Sequence, residues 1–232
     1  MGKAIYLSPS KQENNIGVGD YGTEEHRCNL IADIMEAELK RNGVTVYRND
    51  PDMSLAEIVA DSNKYDINLH FALHSNAYLG KSRGCEVFCW EKGTGAEGEK
   101  LANEIYLLLS AITPTSDRGV KQAKNYYGTG KHIYEIANTK AIAALAEIGF
   151  HDNSEDAAWI INNMELIAIT IVKGILNYLG ITYKEATNDK ANDGYVYRVI
   201  AGAYSYRSNA ELQVKALKNC GVESYIKLEK TT

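Results

Sequence analysis

Two short segments of this chain each place an ionisable side chain where an apolar run ends. Residues 67–73 lead into His74, and residues 141–146 lead into Glu147. Both runs are short enough to be central strands, and catalytic groups of open α/β sheets lie where such strands end. We therefore expect His74 and Glu147 to meet at one sheet edge. The alternative is a hydrogen-bonded core histidine and a solvated glutamate at a strand end.

Glu25 is a third candidate for this site. It precedes Cys28 by three residues and Ala32 by seven, so it extends the apolar stripe of the helix predicted from Glu24 to about Lys40. A carboxylate directed inward needs a cation or several hydrogen-bond donors. The alternative is a glutamate that interacts only with the helix dipole. Glu24 is expected to point away into solvent.

These residue types are suited to metal-assisted hydrolysis. Zinc takes imidazole nitrogen and carboxylate oxygen as ligands, so Glu25 and His74 would form part of a catalytic zinc site. Glu147 would then be the base that accepts the proton of the attacking water.

The remaining patterns predict elements that could position such a site. Strands at 3–7 and 44–47 flank the first helix, which is the arrangement that builds a parallel sheet. Further strands are predicted at 85–90, 131–136 and 141–147, and further helices at about 101–109 and 153–179. We predict an α/β fold with a mostly parallel twisted sheet flanked by helices, and a small β-α-β unit at the C-terminus.

The composition changes after the last of these helices. Residues 182–193 are polar and charged, which predicts a linker between a catalytic domain (1–181) and a small unit (194–232). A unit of this size buries little apolar surface alone. We expect it to pack on the main domain or on a second copy.

Bulk composition excludes several classes of partner. The chain has 232 residues, 45% hydrophobic and 24% charged, with a net charge of −5, as is typical of a soluble globular protein. This charge gives no reason to expect nucleic acid or an anionic membrane as partner. No segment resembles a secretory signal or a membrane span, so we expect synthesis in the cytoplasm and action after release by lysis. Four cysteines (Cys28, Cys85, Cys89 and Cys220) lack zinc-knuckle spacing and are expected to be reduced core residues.

Four motifs resemble the zinc-dependent N-acetylmuramoyl-L-alanine amidases of type 3. They are YGTEEHRCNLIA (21–32), LHSNA (73–77), DRGVK (117–121) and NTK (138–140) followed by LAEIGF (145–150). The resemblance covers roughly residues 3 to 180. It implies an α/β fold, one zinc ion, and cleavage of the amide between N-acetylmuramic acid and L-alanine in peptidoglycan.

The resemblance also implies roles for individual residues. Glu25 and His74 become zinc ligands, Glu147 becomes the catalytic carboxylate, and Asn76 shapes the substrate groove. His151 follows Glu147 closely, and we expect it to line the cleft or to contact the peptide.

One departure concerns the third zinc ligand. The family usually has a histidine in a turn beginning Asp-Pro-Gly-His, and this chain reads SPSKQ at residues 8–12. Lys11 is the aligned residue, but its ammonium has no lone pair for a metal. Gln12 offers a carbonyl oxygen and is our candidate for the third ligand, whereas Ser8 or Ser10 would act only through water.

Other histidines are alternatives for this position. On a helix, His26 lies about 100° round from Glu25 and should face elsewhere. His70 shares a strand face with His74 but lies about 13 Å along it, too far to share one ion. His132 is expected on a surface strand or in the groove.

The C-terminal unit resembles one half-repeat of the sporulation-related (SPOR) peptidoglycan-binding domain. The similarity rests on YRVIAGAY (197–204), NA (209–210) and GV (221–222). The alternative is a remnant that packs on the catalytic domain. Because the domain normally contains two halves, the resemblance implies a possible homodimer with added avidity for the wall.

The combined interpretation is a cell-wall amidase acting on peptidoglycan, either a bacteriophage endolysin or a mother-cell autolysin of a spore former. Two alternatives stay open. One is a wall-binding protein that has lost productive zinc, and the other is a zinc peptidase that cuts the stem peptide.

Overall fold

The computed structural model describes residues 2–91, 96–115 and 118–185, with 207, 210–211, 213–215 and 224–228. The chain divides into two compact units, Met1–Lys184 and Glu185–Thr232. Most of the predicted linker and half-repeat lies outside the described residues, so the proposed SPOR-like unit stays a prediction.

The first unit alternates strands and helices. The strands are β1 (Ala4–Pro9), β2 (Thr45–Arg48), β3 (Leu69–Asn76), β4 (Glu86–Cys89), β5 (Val120–Gln122) and β6 (Ile142–Phe150). The helices are α1 (Glu24–Arg41), α2 (Leu55–Ser62), α3 (Glu97–Ile112), α4 (Tyr134–Asn138), α5 (Ser154–Asn162) and α6 (Met164–Leu179), with a 3₁₀ turn at Gly19–Tyr21.

The six strands form one sheet in the order β2-β1-β3-β6-β4-β5. All neighbouring pairs are parallel except β4 and β6, which are antiparallel. The predicted α/β fold with a mostly parallel sheet is therefore confirmed. In the register of β3 and β6, His74 lies directly opposite Glu147. The expected meeting of these two residues at one sheet edge is also confirmed.

The two faces of the sheet bury different clusters. Leu69, Phe71 and Leu73 of β3 belong to the larger core, which also contains apolar residues of α1, α3 and α6. Ala72 of β3 belongs to a smaller cluster that includes Ile136 of α4. Because side chains alternate along a strand, His70 and His74 lie on the face of the smaller cluster.

Two predicted elements differ from the structure, which also contains α2 and β5, for which no element was predicted. Residues 131–136 do not form a strand, because α4 begins at Tyr134 and presents Ile133 and Ile136, three residues apart, to the smaller cluster. The long predicted helix is divided at Asn163 into α5 and α6, which are bent by 79°. No single helix among the described residues is long and apolar enough to cross a bilayer.

Three cysteines can be compared with the prediction. Cys28, Cys85 and Cys89 are buried, as expected of core residues. Cys220 lies outside the described residues.

Candidate active site

The site forms where α1 begins beside the ends of β3 and β6. The Thr23 hydroxyl accepts a hydrogen bond from the His26 backbone amide (3.2 Å) and caps α1. This cap starts the helix at Glu24, so that the first helical turn reaches the edge of the sheet where His74 lies.

Glu24, not Glu25, contacts His74. Glu24 is 1% exposed, and its Oε1 lies 2.8 Å from His74 Nδ1. Its Oε2 accepts a hydrogen bond from Asn15 Nδ2 (2.8 Å). Glu25 is partly exposed. The expectation that Glu24 points into solvent is therefore wrong, and Glu24 occupies the position that we assigned to Glu25.

The helical period explains this correction. Cys28, Ile31 and Met35 of α1 are fully buried, and they follow Glu24 by four, seven and eleven residues. At about 100° per residue, these spacings place all three within about 40° of Glu24 around the helix. Glu25 lies about 100° from Glu24, at the margin of this stripe. The packing of the whole apolar stripe on the sheet therefore sets which of the two glutamates is buried.

His74 lies between two carboxylates. Burial opposes protonation of the ring, but the carboxylates of Glu135 and Glu24 on either side outweigh it, so the pKa of His74 lies well above its usual value. His74 Nε2 is 3.9 Å from Glu135 Oε2, on the other side of the ring from Glu24.

Glu147 has a carboxylate oxygen without a hydrogen-bond partner in the described part of the chain. Its Oε2 atom is buried and has no hydrogen-bond partner among the described residues. Burial raises its pKa to about 8, the positive charge of His74 opposes this shift, and the charges of Glu24 and Glu86 add to it. A pKa of about 8 places the exchange of this proton close to neutral pH, and the ionised form can act as a general base.

Glu86 of β4 completes the acidic part of the site, and the sequence analysis did not identify it. It lies opposite Glu147 in the antiparallel register and is fully buried. Its partners are Asn76 Nδ2 (2.9 Å), Arg118 Nε (3.1 Å) and Lys121 Nζ (3.0 Å). Asn76 is therefore positioned at the cleft by Glu86, and its proposed role in binding substrate stays a prediction.

Glu135 was also missed, because the predicted strand at 131–136 gave no reason to expect a carboxylate directed at the sheet. It is 3% exposed. Burial would raise its pKa, but the hydrogen bond from His70 and the nearby His74 ring hold the pKa well below its usual value.

His151 has a different environment from the one we expected. It is 2% exposed, and its Nδ1 lies 2.9 Å from Ser75 Oγ and 3.0 Å from Ser75 O. The Ser75 hydroxyl also accepts a hydrogen bond from the Tyr21 hydroxyl (2.7 Å). A ring buried in this way supports the end of β3, and the structure does not support our expectation that it contacts substrate.

The other histidines do not contact the pair formed by Glu24 and His74. His26 is exposed on α1. His132 accepts a hydrogen bond from the Asn125 backbone amide (2.9 Å), and its ring lies 5.0 Å from the Trp90 ring.

Glu24 and His74 supply two donor types that zinc takes, a carboxylate oxygen and an imidazole nitrogen. Their Oε1 and Nδ1 atoms lie 2.8 Å apart and are hydrogen-bonded to each other. Within the described part of the chain, no set of three or more His, Cys, Asp or Glu residues is arranged to hold a metal. The described residues therefore do not form a complete zinc site, and an ion held by this pair would have to replace their hydrogen bond.

Gln12 lies close to this pair through Asn15. The Asn15 amide donates hydrogen bonds both to Glu24 Oε2 and to Gln12 Oε1 (3.0 Å). Gln12 is exposed. The neighbouring Lys11 acts on Glu57 instead: hydrogen bonds from Ser54 are the main cause of the lowered pKa of Glu57, and the charge of Lys11 adds to it. Gln12 therefore stays a candidate for the third ligand, one bridging side chain away.

Comparison with known proteins shows the family. A model of N-acetylmuramoyl-L-alanine amidases matches residues 5–177. The chain belongs to this amidase family. In sequence, it is 29% identical over 163 residues to the N-acetylmuramoyl-L-alanine amidase LytC of Bacillus subtilis. This alignment covers 68% of this chain and 31% of LytC. It is also 27% identical over 183 residues to YqiI of the same organism. This alignment covers 76% of this chain and 85% of YqiI.

Solved structures of other amidases have the same fold. The catalytic domain of CwlV from Bacillus (Paenibacillus) polymyxa var. colistinus superposes with a TM-score of 0.67 at 21% identity, covering 78% of this chain and 99% of that domain. An N-acetylmuramoyl-L-alanine amidase from Clostridium difficile 630 gives a TM-score of 0.63 at 21% identity. The superposition covers 77% of this chain and 97% of that amidase.

Proposed function

We propose that this chain hydrolyses the amide bond between N-acetylmuramic acid and L-alanine in peptidoglycan, with a zinc ion held by Glu24 and His74. The observation that carries this proposal is the free, buried Oε2 of Glu147 on the strand position directly opposite His74. Membership of the amidase family and the common fold support the reaction class.

The roles follow from the geometry. Glu24 and His74 would hold the zinc ion, which when bound would lower the pKa of a water molecule and polarise the amide carbonyl. Gln12 is the proposed additional donor, which would make the site weaker than one with three strong protein ligands. Asn15 and Ser10 hydrogen-bond Glu24 and fix its orientation.

Glu147 moves the proton in this mechanism. Its Oε2 accepts a proton from the attacking water and returns it to the nitrogen of the leaving L-alanine. Asn76, held by Glu86 beside Glu147, is proposed to contact the substrate in the cleft.

The test is the release of new L-alanine amino termini from purified cell wall in the presence of zinc. We expect Glu147→Gln to lose roughly 100-fold or more of the rate, as is usual for removal of a general base. Glu25→Gln is the matched control, because it removes one carboxylate from the start of α1 without touching His74, and it should retain activity.

Mass spectrometry of the digested muropeptides identifies the bond that is cut. New L-alanine termini identify the proposed reaction, whereas cuts within the stem peptide would show a peptidase instead. Equal rates for Glu147→Gln and the unmodified protein would contradict the assigned role of Glu147.

We also propose that the C-terminal unit, residues 194–232, binds the wall and pairs with a second copy. A dimeric mass of the full chain by light scattering is the expected result. A monomeric mass at all concentrations would contradict the pairing.

We further propose that the enzyme reaches the wall after cell lysis. In the producing cells, fractionation before lysis should therefore recover the chain with the cytoplasm, and recovery from the intact wall would contradict this.

A further inference from the structure

Glu86 contacts two cations, although one would balance its charge. Its Oε2 accepts a hydrogen bond from Arg118 Nε (3.1 Å) and lies 3.0 Å from Lys121 Nζ. The Glu86 side chain is fully buried, whereas those of Arg118 and Lys121 are 29% and 34% exposed. Within the described part of the chain, neither cation forms an ion pair with a second carboxylate. One buried negative charge therefore holds two partly exposed positive charges, and one positive charge is left over.

The Arg118 guanidinium is fixed on one side and available on the other. Its Cζ lies 4.8 Å from the centroid of the Phe150 ring, which is 1% exposed, so the ring supports one face of the group. The contact with Glu86 uses Nε, and no described residue accepts a hydrogen bond from the two terminal nitrogens. These two nitrogens form a planar fork that matches the two oxygens of a carboxylate.

The two cations lie beside the proposed general base. Glu86 and Glu147 are directly opposite each other in the antiparallel register of β4 and β6. Their Cβ atoms are therefore about 5 Å apart, and both side chains leave the same face of the sheet. Arg118 and Lys121 are bound to the carboxylate of Glu86, so a ligand that they hold lies within about one side-chain length of Glu147.

The peptide part of the proposed substrate carries an anionic group at a suitable distance. In peptidoglycan, L-alanine is followed by a D-glutamate that is linked through its γ-carboxyl group, which leaves the α-carboxyl group outside the chain. Two residues of extended peptide span about 7 Å, so this group lies within about 7 Å of the nitrogen of the amide to be cleaved. It is a carboxylate in some cell walls and a carboxamide in others, and only the carboxylate carries a charge for Arg118 and Lys121.

We propose that Arg118 and Lys121 bind the α-carboxylate of the residue after L-alanine and make the protein prefer stem peptides in which this group is not amidated. Glu86 and Phe150 position the two cations for this contact. The inference rests on the proposed function and adds a specificity determinant to it. Binding of the carboxylate involves no metal ion, so it can be measured apart from hydrolysis.

The test compares two peptides that differ only in the proposed contact. The acid peptide is N-acetyl-L-alanyl-D-glutamate with its γ-carboxyl group blocked as the methylamide, and the amide peptide is the same compound with an α-carboxamide. Titration of the full-length protein, followed by NMR, gives the Kd of each. We expect the acid peptide to bind roughly 10- to 100-fold more tightly, as is usual for a hydrogen bond between charged groups.

Two variants and a matched control assign the preference to the cations. Arg118→Gln and Lys121→Gln should each reduce the ratio of the two Kd values at least about fivefold. Each variant leaves one cation to pair with Glu86, so the buried carboxylate keeps a partner, and Lys121→Gln serves alone should Arg118→Gln fail to fold. Lys124→Gln is the control, because Lys124 is a similarly exposed lysine that pairs with Glu91 instead. It should leave the ratio unchanged.

Equal Kd values for the two peptides in the unmodified protein, or no detectable binding of the acid peptide, would overturn the proposal. It would also be overturned by a ratio that persists in both Arg118→Gln and Lys121→Gln, or that falls equally in Lys124→Gln. A loss of stability alone would weaken the binding of both peptides and leave their ratio unchanged. A preference for the acid peptide in a protein that releases no L-alanine termini from cell wall would refute only the reaction, whereas release of these termini with equal Kd values would refute only this inference.

Discussion

Replacing Glu147 with glutamine should stabilise the metal-free protein, and the effect should depend on pH. The pKa of Glu147 is raised from 4.5 to about 8, chiefly by burial. A carboxyl group with a raised pKa contributes its stability below pH 4.5, and this contribution is lost as the pH rises through 8. Glutamine resembles the neutral acid at every pH. The advantage of Glu147→Gln should therefore be near zero at pH 4 and largest at pH 9.

The pKa shift sets the size of the effect. One pKa unit corresponds to about 1.4 kcal/mol, so the full shift would be worth roughly 5 kcal/mol in the free energy of unfolding. The Glu147 side chain is only partly buried as a whole, and solvent screening reduces this figure to about 2–3 kcal/mol. For a domain of this size, we expect Tm to rise by roughly 5–10 °C at pH 9.

Thermal melts followed by circular dichroism, with a chelator present, measure this difference at several pH values. Glu25→Gln removes the same charge from a partly exposed position on α1 and should change Tm by less than about 2 °C, as surface substitutions usually do. If Glu147→Gln raises Tm equally at pH 4 and pH 9, the argument that burial of an ionised Glu147 destabilises the fold is refuted.

Three further predictions follow from single residues. Glu24→Gln should weaken zinc binding at least about 10-fold by chelator competition, whereas Glu25→Gln should leave the Kd unchanged; the reverse would restore Glu25 as the ligand. Gly174→Ala should lower the free energy of unfolding by about 1–3 kcal/mol in urea titrations, because a methyl group there would lie 2.7 Å from the Cα of Ile105 on α3. Gly98→Ala, whose methyl would meet ordinary 3.7 Å contacts, should lower the free energy of unfolding by less. Equal losses of stability in the two variants would contradict the overpacking argument. His151→Ala should destabilise the fold by about 1–3 kcal/mol through its lost hydrogen bonds, while kcat/KM of the folded fraction stays unchanged; a raised KM alone would indicate a substrate contact.

Much of the fold could be predicted from the sequence. Apolar runs and helical periodicity are local signals, and they correctly indicated β1, β2, β3, β4 and β6, with α1 and α3 between them. The segment 131–136 was assigned to the wrong state. Its apolar residues Ile133 and Ile136 suit a strand as well as a single helical turn. Packing of both residues on the smaller cluster favours the helical turn.

The sequence by itself determined that His74 and Glu147 end two central strands, since a buried run that stops at an ionisable residue is visible without any structure. Only the tertiary structure decided which glutamate of α1 faces His74. One residue on a helix changes direction by about 100°, and the packing of the whole apolar stripe on the sheet sets the rotation. The structure alone also brought Glu86 and Glu135 to the site, because their partners lie on other elements and contacts between distant segments leave no local pattern in the sequence.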